Sequence, residues 1–332
     1  MINNKSIFIS GSTGSFGSLF VSHIIKRYKP KKLIVFSRDE LKQLKMKEMI
    51  SPEKFKFIRY FVGDIRDKER LDYALKDVDY VFHAAAMKQV DTSEYNPTEC
   101  INTNIFGTQN LISSSQKNNV KKFVAISTDK AVNPINLYGA TKLAADKLVI
   151  AANNMSGKNV TRFSVVRYGN VINSRGSVIP YFKSLIEQGR TLPITHKSMT
   201  RFLITLEQSA NFVLQCLNLM RGGETYVPKI PSARLMDIVK ALVNNPKFKI
   251  VGIRPGEKIH EVLCSKEMSN YILEFKNYFL IKPNINFFDG NINYVVSKTG
   301  EKGKKVRDDL EYSSDKNKDF LNVKEIKQLI KS

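Results

Sequence analysis

The sequence predicts an α/β fold, a doubly wound parallel sheet followed by a smaller, mixed α/β C-terminal lobe. Three observations carry that expectation. Short apolar runs alternate with longer stretches of helical period through the first half of the chain. A glycine turn, Gly11-Ser-Thr-Gly14-Ser-Phe-Gly17, separates the first apolar run from the first helical stretch. After Gly169 the rhythm breaks, with shorter apolar runs and more frequent Pro and Gly.

In chain order, residues 6–10 (SIFIS) read as a buried strand. Helix 16–26 follows, with Phe16, Phe20 and Ile24 at helical spacing. Strands are expected at 32–37 and 57–62, a short helix at 70–76, and a fourth strand at 78–84. A helix at 99–116 leads to strand 122–127, and a long helix at 137–153 to strand 162–167. Strands alternating with helices imply right-handed βαβ units and parallel pairing. Beyond residue 169, helices are expected at 178–188, 206–220 and 323–330, with the highly charged stretch 297–318 a loop. The expected division is 1–169 and 170–332, the second part interleaved with the first.

Composition narrows the class. The chain has 332 residues, with Lys+Arg 53 against Asp+Glu 31 and a net charge of +22. The basic residues are scattered among connectors, and no recognition-helix, RNP-like or zinc-finger pattern accompanies them, so nucleic acid is not an expected partner. The positive field favours anionic small molecules. Cys100, Cys216 and Cys264 are odd in number and irregular in spacing, which fits a reducing compartment rather than a disulfide framework. The polar start of the chain has no signal-peptide pattern, and no run of about 18 apolar residues exists to span a membrane. A cytoplasmic location is the expectation. His23, His83, His196 and His260 show no metal-ligand spacing, and no metal site is expected.

The glycine turn is placed where a strand gives way to a helix N-terminus. There, a backbone without side chains can approach a pyrophosphate. Gly11, Thr13, Gly14, Ser15, Phe16 and Gly17 are the expected cradle, the dinucleotide-binding element of a Rossmann-type domain. At the end of the second strand, Ser37 and Arg38, with Lys42 one turn on, suit a ribose 2′-phosphate and therefore NADP. Asp39 and Glu40 keep NAD open. Asp64 and Ile65 after the third strand are expected near the adenine, and Ala84 and Ala85 after the fourth near the middle of the cofactor.

Tyr138 and Lys142 are four residues apart on one helix face. A neighbouring ammonium is expected to lower the Tyr phenol toward a usable base. Thr128, at the end of the fifth strand, can bind the same substrate oxygen. Asp129 and Lys130 follow it at the carboxyl edge, where open α/β sheets bind ligands. Titratable groups of opposite charge beside a hydride-transfer site suggest acid–base work beyond oxidation.

The segments 11–17, 37–42, 63–67, 83–88 and 94–104 share one pattern with STDKAVNPINLYGATK (127–142). So do RYGNV (167–171), SRGSV (174–178), MTRF (199–202) and RPGEK (254–258). Together they resemble the inverting UDP-N-acetylglucosamine 4,6-dehydratases, extended short-chain dehydrogenases of pseudaminic acid biosynthesis, over nearly the whole chain. Dehydratases of the dTDP-glucose type carry Asp-Glu where this chain has Asp129-Lys130, and membrane-bound relatives that retain C5 configuration lack the Tyr. The resemblance implies a UDP-N-acetylglucosamine substrate, tightly bound NADP regenerated each cycle, and a dimer or hexamer. It implies Tyr138 as base at C4, a neutral Lys130 of depressed pKa as base at C5, and a protonated Asp129 as acid at C6. Lys88, Asn170, Arg175, Thr195, Arg201 and Arg254 are implied around the sugar and diphosphate, with Lys88 and Val171 also near the cofactor. A UDP-sugar 4-epimerase or a C5-retaining dehydratase is the alternative, and a noncatalytic NADP- or nucleic-acid-binding protein the more distant one.

Overall fold

The computed structural model describes residues 2–155, 161–285 and 292–331. Six parallel strands form the centre: β1 (Ser6–Ser10), β2 (Lys32–Ser37), β3 (Ile58–Val62), β4 (Tyr80–His83), β5 (Lys122–Thr128) and β6 (Arg162–Tyr168). They lie in the order β3-β2-β1-β4-β5-β6. The chain therefore winds one way from β1 through β3 and the other way from β4 onward. The crevice between the carboxyl ends of β1 and β4 is the point where open sheets of this kind take ligands. Thr225–Pro228 pairs parallel to β6, and Tyr278–Ile281 runs antiparallel beside it. Ile272–Glu274 and Lys304–Lys305 complete that edge, so the sheet draws strands from well beyond residue 169.

The strands read as continuous apolar runs because both faces of the sheet are covered. Side-chain alternation sends Ile7 and Ile9 to one side and Phe8 to the other. On the first face they meet Phe20, Val21 and Ile24 of helix α1 (Ser15–Arg27) and the helix Leu206–Leu219. On the second face lie Leu71, Leu111 and Val149. Each fully buried Leu, Ile or Phe contributes about 1.5–3 kcal/mol.

Helix α2 (Glu40–Met49) is absent from the sequence expectation. Leu41, Leu44 and Met49 are exposed, and only Gln43 and Met46 are buried, so no apolar stripe marks it. Its local signal is Asp39, whose carboxylate accepts the Lys42 N–H at 2.9 Å as an N-cap. Helix α3 (Lys68–Ala74) is the short helix expected near 70. Before β5, α4 (Val90–Tyr95) precedes a broken helix. It consists of α5 (Pro97–Ile101), a π turn at Asn102–Phe106 and α6 (Gly107–Lys117), where periodicity suggests one piece. Helix α7 (Leu137–Ala151) follows β5.

In the second half, Asn170–Val171, Thr200–Ile204 and Ser232–Arg234 form a small sheet, and Val178–Glu187 and Val323–Lys331 are helices. The stretch 297–318 is not wholly loop, because it contains Lys304–Lys305 and Tyr312–Ser313. The Tyr312 hydroxyl donates to the Ile230 carbonyl and accepts from its N–H, both at 2.9 Å, which anchors that strand. Among the described residues, no helix is long and apolar enough to cross a membrane, and no cluster of His, Cys, Asp or Glu could hold a metal ion.

Candidate active site

A cavity of about 880 Å³ opens at the carboxyl edge of the sheet. Gly11, Gly14, Ser15, Phe16 and Gly17 line it from the glycine turn, with Ala84 and Lys88 after β4. Thr128, Asp129, Lys130, Tyr138 and Lys142 line it from β5 and α7. Asn170, Val171, Thr195, Arg201 and Arg254 line it from the second half. Residues distant in sequence but named from it thus face one space.

The glycine turn has the features that let a helix N-terminus hold an anion. Helix α1 begins at Ser15 with Gly14 as N-cap, no side-chain cap and no acidic residue in its first turn, which leaves positive N–H ends free. Gly11 adopts φ +65, and a Cβ there would lie 2.6 Å from the Ala85 nitrogen. The Ser10 hydroxyl braces that contact, accepting the Ala84 N–H at 3.2 Å and the Ala85 N–H at 3.3 Å. Buried His83, pushed down to about 3 by burial and Lys142, stays neutral between Ser10 and Thr108.

Arg175 is placed differently from the expectation. It does not line the cavity; its guanidinium donates to the Thr13 carbonyl and its backbone N–H donates to the Ser15 hydroxyl at 2.9 Å. It fastens the loop after β6 onto the glycine turn. Lys88 donates to the Arg175 carbonyl at 2.8 Å, and burial, Arg175 and Lys130 all push its pKa down.

Asp64, expected near the adenine, lies outside the main cavity. Asp64 lines a separate open pocket of about 500 Å³ with Arg66, Asp67, Asn102, Phe106 and Asn110. Its carboxylate accepts Arg66 Nε at 3.0 Å, with Arg38 3.6 Å away. Ile65 is packed in the core and Ser37 accepts from Gln43 at 3.0 Å. Lys42 is paired with Asp39 at 2.7 Å. Asp39, which also caps α2, is therefore engaged by its own helix.

Strand β5 runs into a turn at Asp129–Ala131. Thr128 caps it, accepting the Lys130 N–H at 3.3 Å and donating to Asp129 Oδ1 at 3.0 Å. Helix α7 lies directly on this turn. A Cβ at Gly139 would collide with the Lys130 carbonyl, so only glycine lets Tyr138 come this close. Asn136 caps α7 by accepting the Gly139 N–H at 2.7 Å, and its amide donates to the Gly256 carbonyl at the same distance. That contact, with Lys258 donating to the Val132 carbonyl at 2.6 Å, brings the 254–261 loop to the site.

The electrostatics correct two expectations. Burial pushes the Tyr138 phenol up to about 12, with Lys130 and a hydrogen bond to Thr128 only partly offsetting it. Lys142, buried and donating to the Ile126 carbonyl at 2.8 Å, is pushed down by burial against the pull of Asp146. Lys130 is not depressed. Burial opposes its charge, yet Asp129 and Glu261, each 3.0 Å away, outweigh burial and hold the ammonium well above the ordinary lysine value. Glu261 was absent from the sequence expectation. Its only signal was proximity to Arg254–Lys258, the motif it follows. Arg201 donates to the carbonyls of Thr200, Ile259 and Lys258 at 2.7, 2.9 and 3.0 Å, and so holds this loop in place.

Asp129 Oδ2, Glu261 Oε2, Asn170 Oδ1 and the Ser177 hydroxyl are buried without a hydrogen-bond partner, and all four residues line the cavity. Buried polar atoms left unpaired are costly, which marks this wall as one that receives a polar ligand.

The chain is similar to several known proteins. Residues 7–283 match the family model described as "Polysaccharide biosynthesis protein". The chain is 52% identical over 331 residues to the UDP-N-acetylglucosamine 4,6-dehydratase (inverting) of Campylobacter jejuni, covering 99% of this chain and 98% of that protein. It is 42% identical to a UDP-glucose 4-epimerase of Rickettsia canadensis, covering 99% and 96%. Among solved structures, Pen from Bacillus thuringiensis superposes with TM-score 0.88 at 36% identity, covering 99% and 98%. DesIV, a dTDP-glucose 4,6-dehydratase of Streptomyces venezuelae solved with NAD and TYD, gives TM-score 0.69 at 21% identity over 76% and 86%, a likeness of fold. The chain belongs to the polysaccharide biosynthesis protein family, within its group of inverting UDP-N-acetylglucosamine 4,6-dehydratases.

Proposed function

We propose that the protein converts UDP-N-acetylglucosamine to the 4-keto-6-deoxy sugar with inversion at C5, using NADP. The observation that carries this reading is the Asp129–Lys130 pair, 3.0 Å apart, on the same cavity wall as Tyr138 and Lys142. A 4-epimerase has work for the Tyr–Lys set alone, whereas an elimination needs a further acid and base. The glycine turn, with its free α1 N-terminus, fits a dinucleotide pyrophosphate. Support for NADP over NAD is Arg38 beside an Asp39 already committed to α2.

When bound, the nicotinamide cofactor supplies a transient hydride acceptor at C4 and the hydride returned to C6. Tyr138 takes the C4 hydroxyl proton, with Thr128 holding the same oxygen. Its raised pKa makes it a strong base once ionised, and Lys142 supplies a cation on the same helix face. The pair Asp129–Lys130 starts as carboxylate and ammonium. Moving one proton from Lys130 Nζ to Asp129 breaks N–H and forms O–H, which gives an amine and a carboxylic acid. The amine takes the C5 proton, made acidic by the C4 ketone. The acid gives its proton to the C6 hydroxyl, the C6–O bond breaks and water leaves. The pair is then ammonium and carboxylate again, so a lysine held charged at rest is compatible with a lysine base. A water molecule on the opposite face gives a proton to C5, and the hydroxide left behind takes the proton held by Tyr138, which completes the inversion and returns the phenolate. Arg254, Thr195, Asn170 and Lys88, which line the same cavity, bind the diphosphate and sugar.

Incubation of the purified protein with UDP-N-acetylglucosamine, read by mass spectrometry, tests this reading. Loss of one water supports it. A product of unchanged mass with altered C4 configuration supports the epimerase.

A further inference from the structure

Lys130 is held from two sides. Asp129, its chain neighbour, meets Nζ through Oδ1 at 3.0 Å, and Glu261, from the far end of the second-half loop, meets it through Oε1 at 3.0 Å. Glu261 is 2% exposed, and its second oxygen is buried without a partner. Its backbone is fixed as firmly as its side chain. The Glu261 N–H donates to the Ser314 hydroxyl at 2.9 Å, the Ser314 N–H donates to the Glu261 carbonyl at 2.8 Å, and Ser314 in turn bonds Thr200 at 2.6 Å. A buried carboxylate so rigidly mounted beside one ammonium is costly unless its charge is used.

We propose that Glu261 is a positioning residue that keeps the one mobile proton of the Asp129–Lys130 pair in place across the working pH range. The proposal rests on the dehydratase reading above and extends it. Two carboxylates compete for one ammonium. The fixed negative charge of Glu261 makes the pair harder to deprotonate, so the acid needed to expel water is present when the substrate arrives. The other charged or titratable groups around Lys130 are Arg201, Lys88, Lys258 and Tyr138. The three cations work against the ammonium, which leaves Glu261 and Asp129 as its counterweight.

The test is Glu261→Gln, which keeps size and hydrogen bonding but removes the charge. Removing a negative neighbour lowers the pKa of a cation. The alkaline limb of the kcat–pH profile should therefore move down by one unit or more, a tenfold loss of activity on that limb, with KM for the UDP-sugar little changed. Competitive acetylation with acetic anhydride, read at Lys130 by mass spectrometry, reports the same titration without substrate. In the parent protein Lys130 should titrate above the ordinary lysine value of about 10.4, and in Glu261→Gln it should react at lower pH. Glu261→Asp, which keeps the charge, should restore most of the alkaline limb. A lower kcat with neither the limb nor the acetylation profile moved would make Glu261 a mere structural prop and overturn the proposal. So would a parent Lys130 that acetylates as an ordinary or depressed amine, a result that stands even if the Gln variant does not fold. If the parent protein leaves UDP-N-acetylglucosamine unchanged while Lys130 titrates as expected, the functional reading fails and the pairing of Glu261 with Lys130 survives.

Discussion

The backbone N–H of Arg175 donates to the Ser15 hydroxyl at 2.9 Å, and its guanidinium reaches the Thr13 carbonyl. A loop that follows β6 is thereby locked onto the first residues of α1. The same loop accepts Lys88 at the Arg175 carbonyl, so three chain segments meet over the glycine turn.

Arg175→Ala should loosen this closure without disturbing the sheet. A side-chain hydrogen bond from a charged group is worth about 1.5–3 kcal/mol, and part of that closure is shared with backbone contacts. The dissociation constant of the nicotinamide cofactor, measured by titration calorimetry with NADP and with NAD, should rise about tenfold for whichever the parent binds. The melting temperature of the cofactor-stripped protein should change little.

Gly11→Ala should be far more damaging. The new Cβ would meet the Ala85 backbone nitrogen at 2.6 Å, and the residue would still have to hold φ +65. Backbone atoms there cannot move aside, because Ser10 holds Ala84 and Ala85 in place. Overpacking of this kind costs about 1–3 kcal/mol and distorts the phosphate cradle. The variant should purify without cofactor, read as a lowered ratio of absorbance at 260 to 280 nm.

Tyr138→Phe removes only a hydroxyl from a buried ring. The fold should survive, with a melting temperature near the parent's. The turnover rate should fall by about 10²–10⁴, the usual worth of a positioned acid–base group. Rapid-mixing absorbance at 340 nm should show no transient hydride uptake.

Asp79 offers a test of the fold that is independent of catalysis. Burial raises its pKa, but the Lys121 ammonium at 2.7 Å and the Ser6 N–H at 2.9 Å outweigh burial and leave it depressed. A carboxylate depressed in the folded state stabilises above its unfolded pKa of about 4, and that stability is lost as pH falls through the lower folded value. Asp79→Asn should therefore unfold at lower denaturant than the parent at pH 7. The two midpoints should converge as the pH drops below 4.

The sheet was readable because its strands are apolar on both faces. Ile7, Phe8 and Ile9 are all buried, which leaves no ambiguity about a surface side. Helix α2 was not readable, because Leu41, Leu44 and Met49 are exposed and Met46 alone among its apolar residues is buried. The break at Asn102–Phe106 was hidden too, since a π turn adds one residue per turn without altering composition. The Asp129, Lys130, Tyr138 and Lys142 set stood out by spacing and strand-end position. Glu261 did not, since its partnership with Lys130 arises only when Arg201, Asn136 and Lys258 hold a distant loop against the connector between β5 and α7. Charge states were the least legible of all. Nothing in a YxxxK or Asp-Lys spacing says that burial raises Tyr138, or that a second carboxylate holds Lys130 charged.

In the proposed reaction the Asp129–Lys130 pair removes the C5 proton and expels the C6 hydroxyl as water. Incubating the protein with UDP-N-acetylglucosamine in deuterium oxide and following C5 and C6 by NMR tests it directly. The expected product is a 4-keto, 6-deoxy sugar with deuterium at C5 and the L-arabino configuration. A 6-deoxy product with the original C5 configuration, or with hydrogen retained at C5, would contradict it.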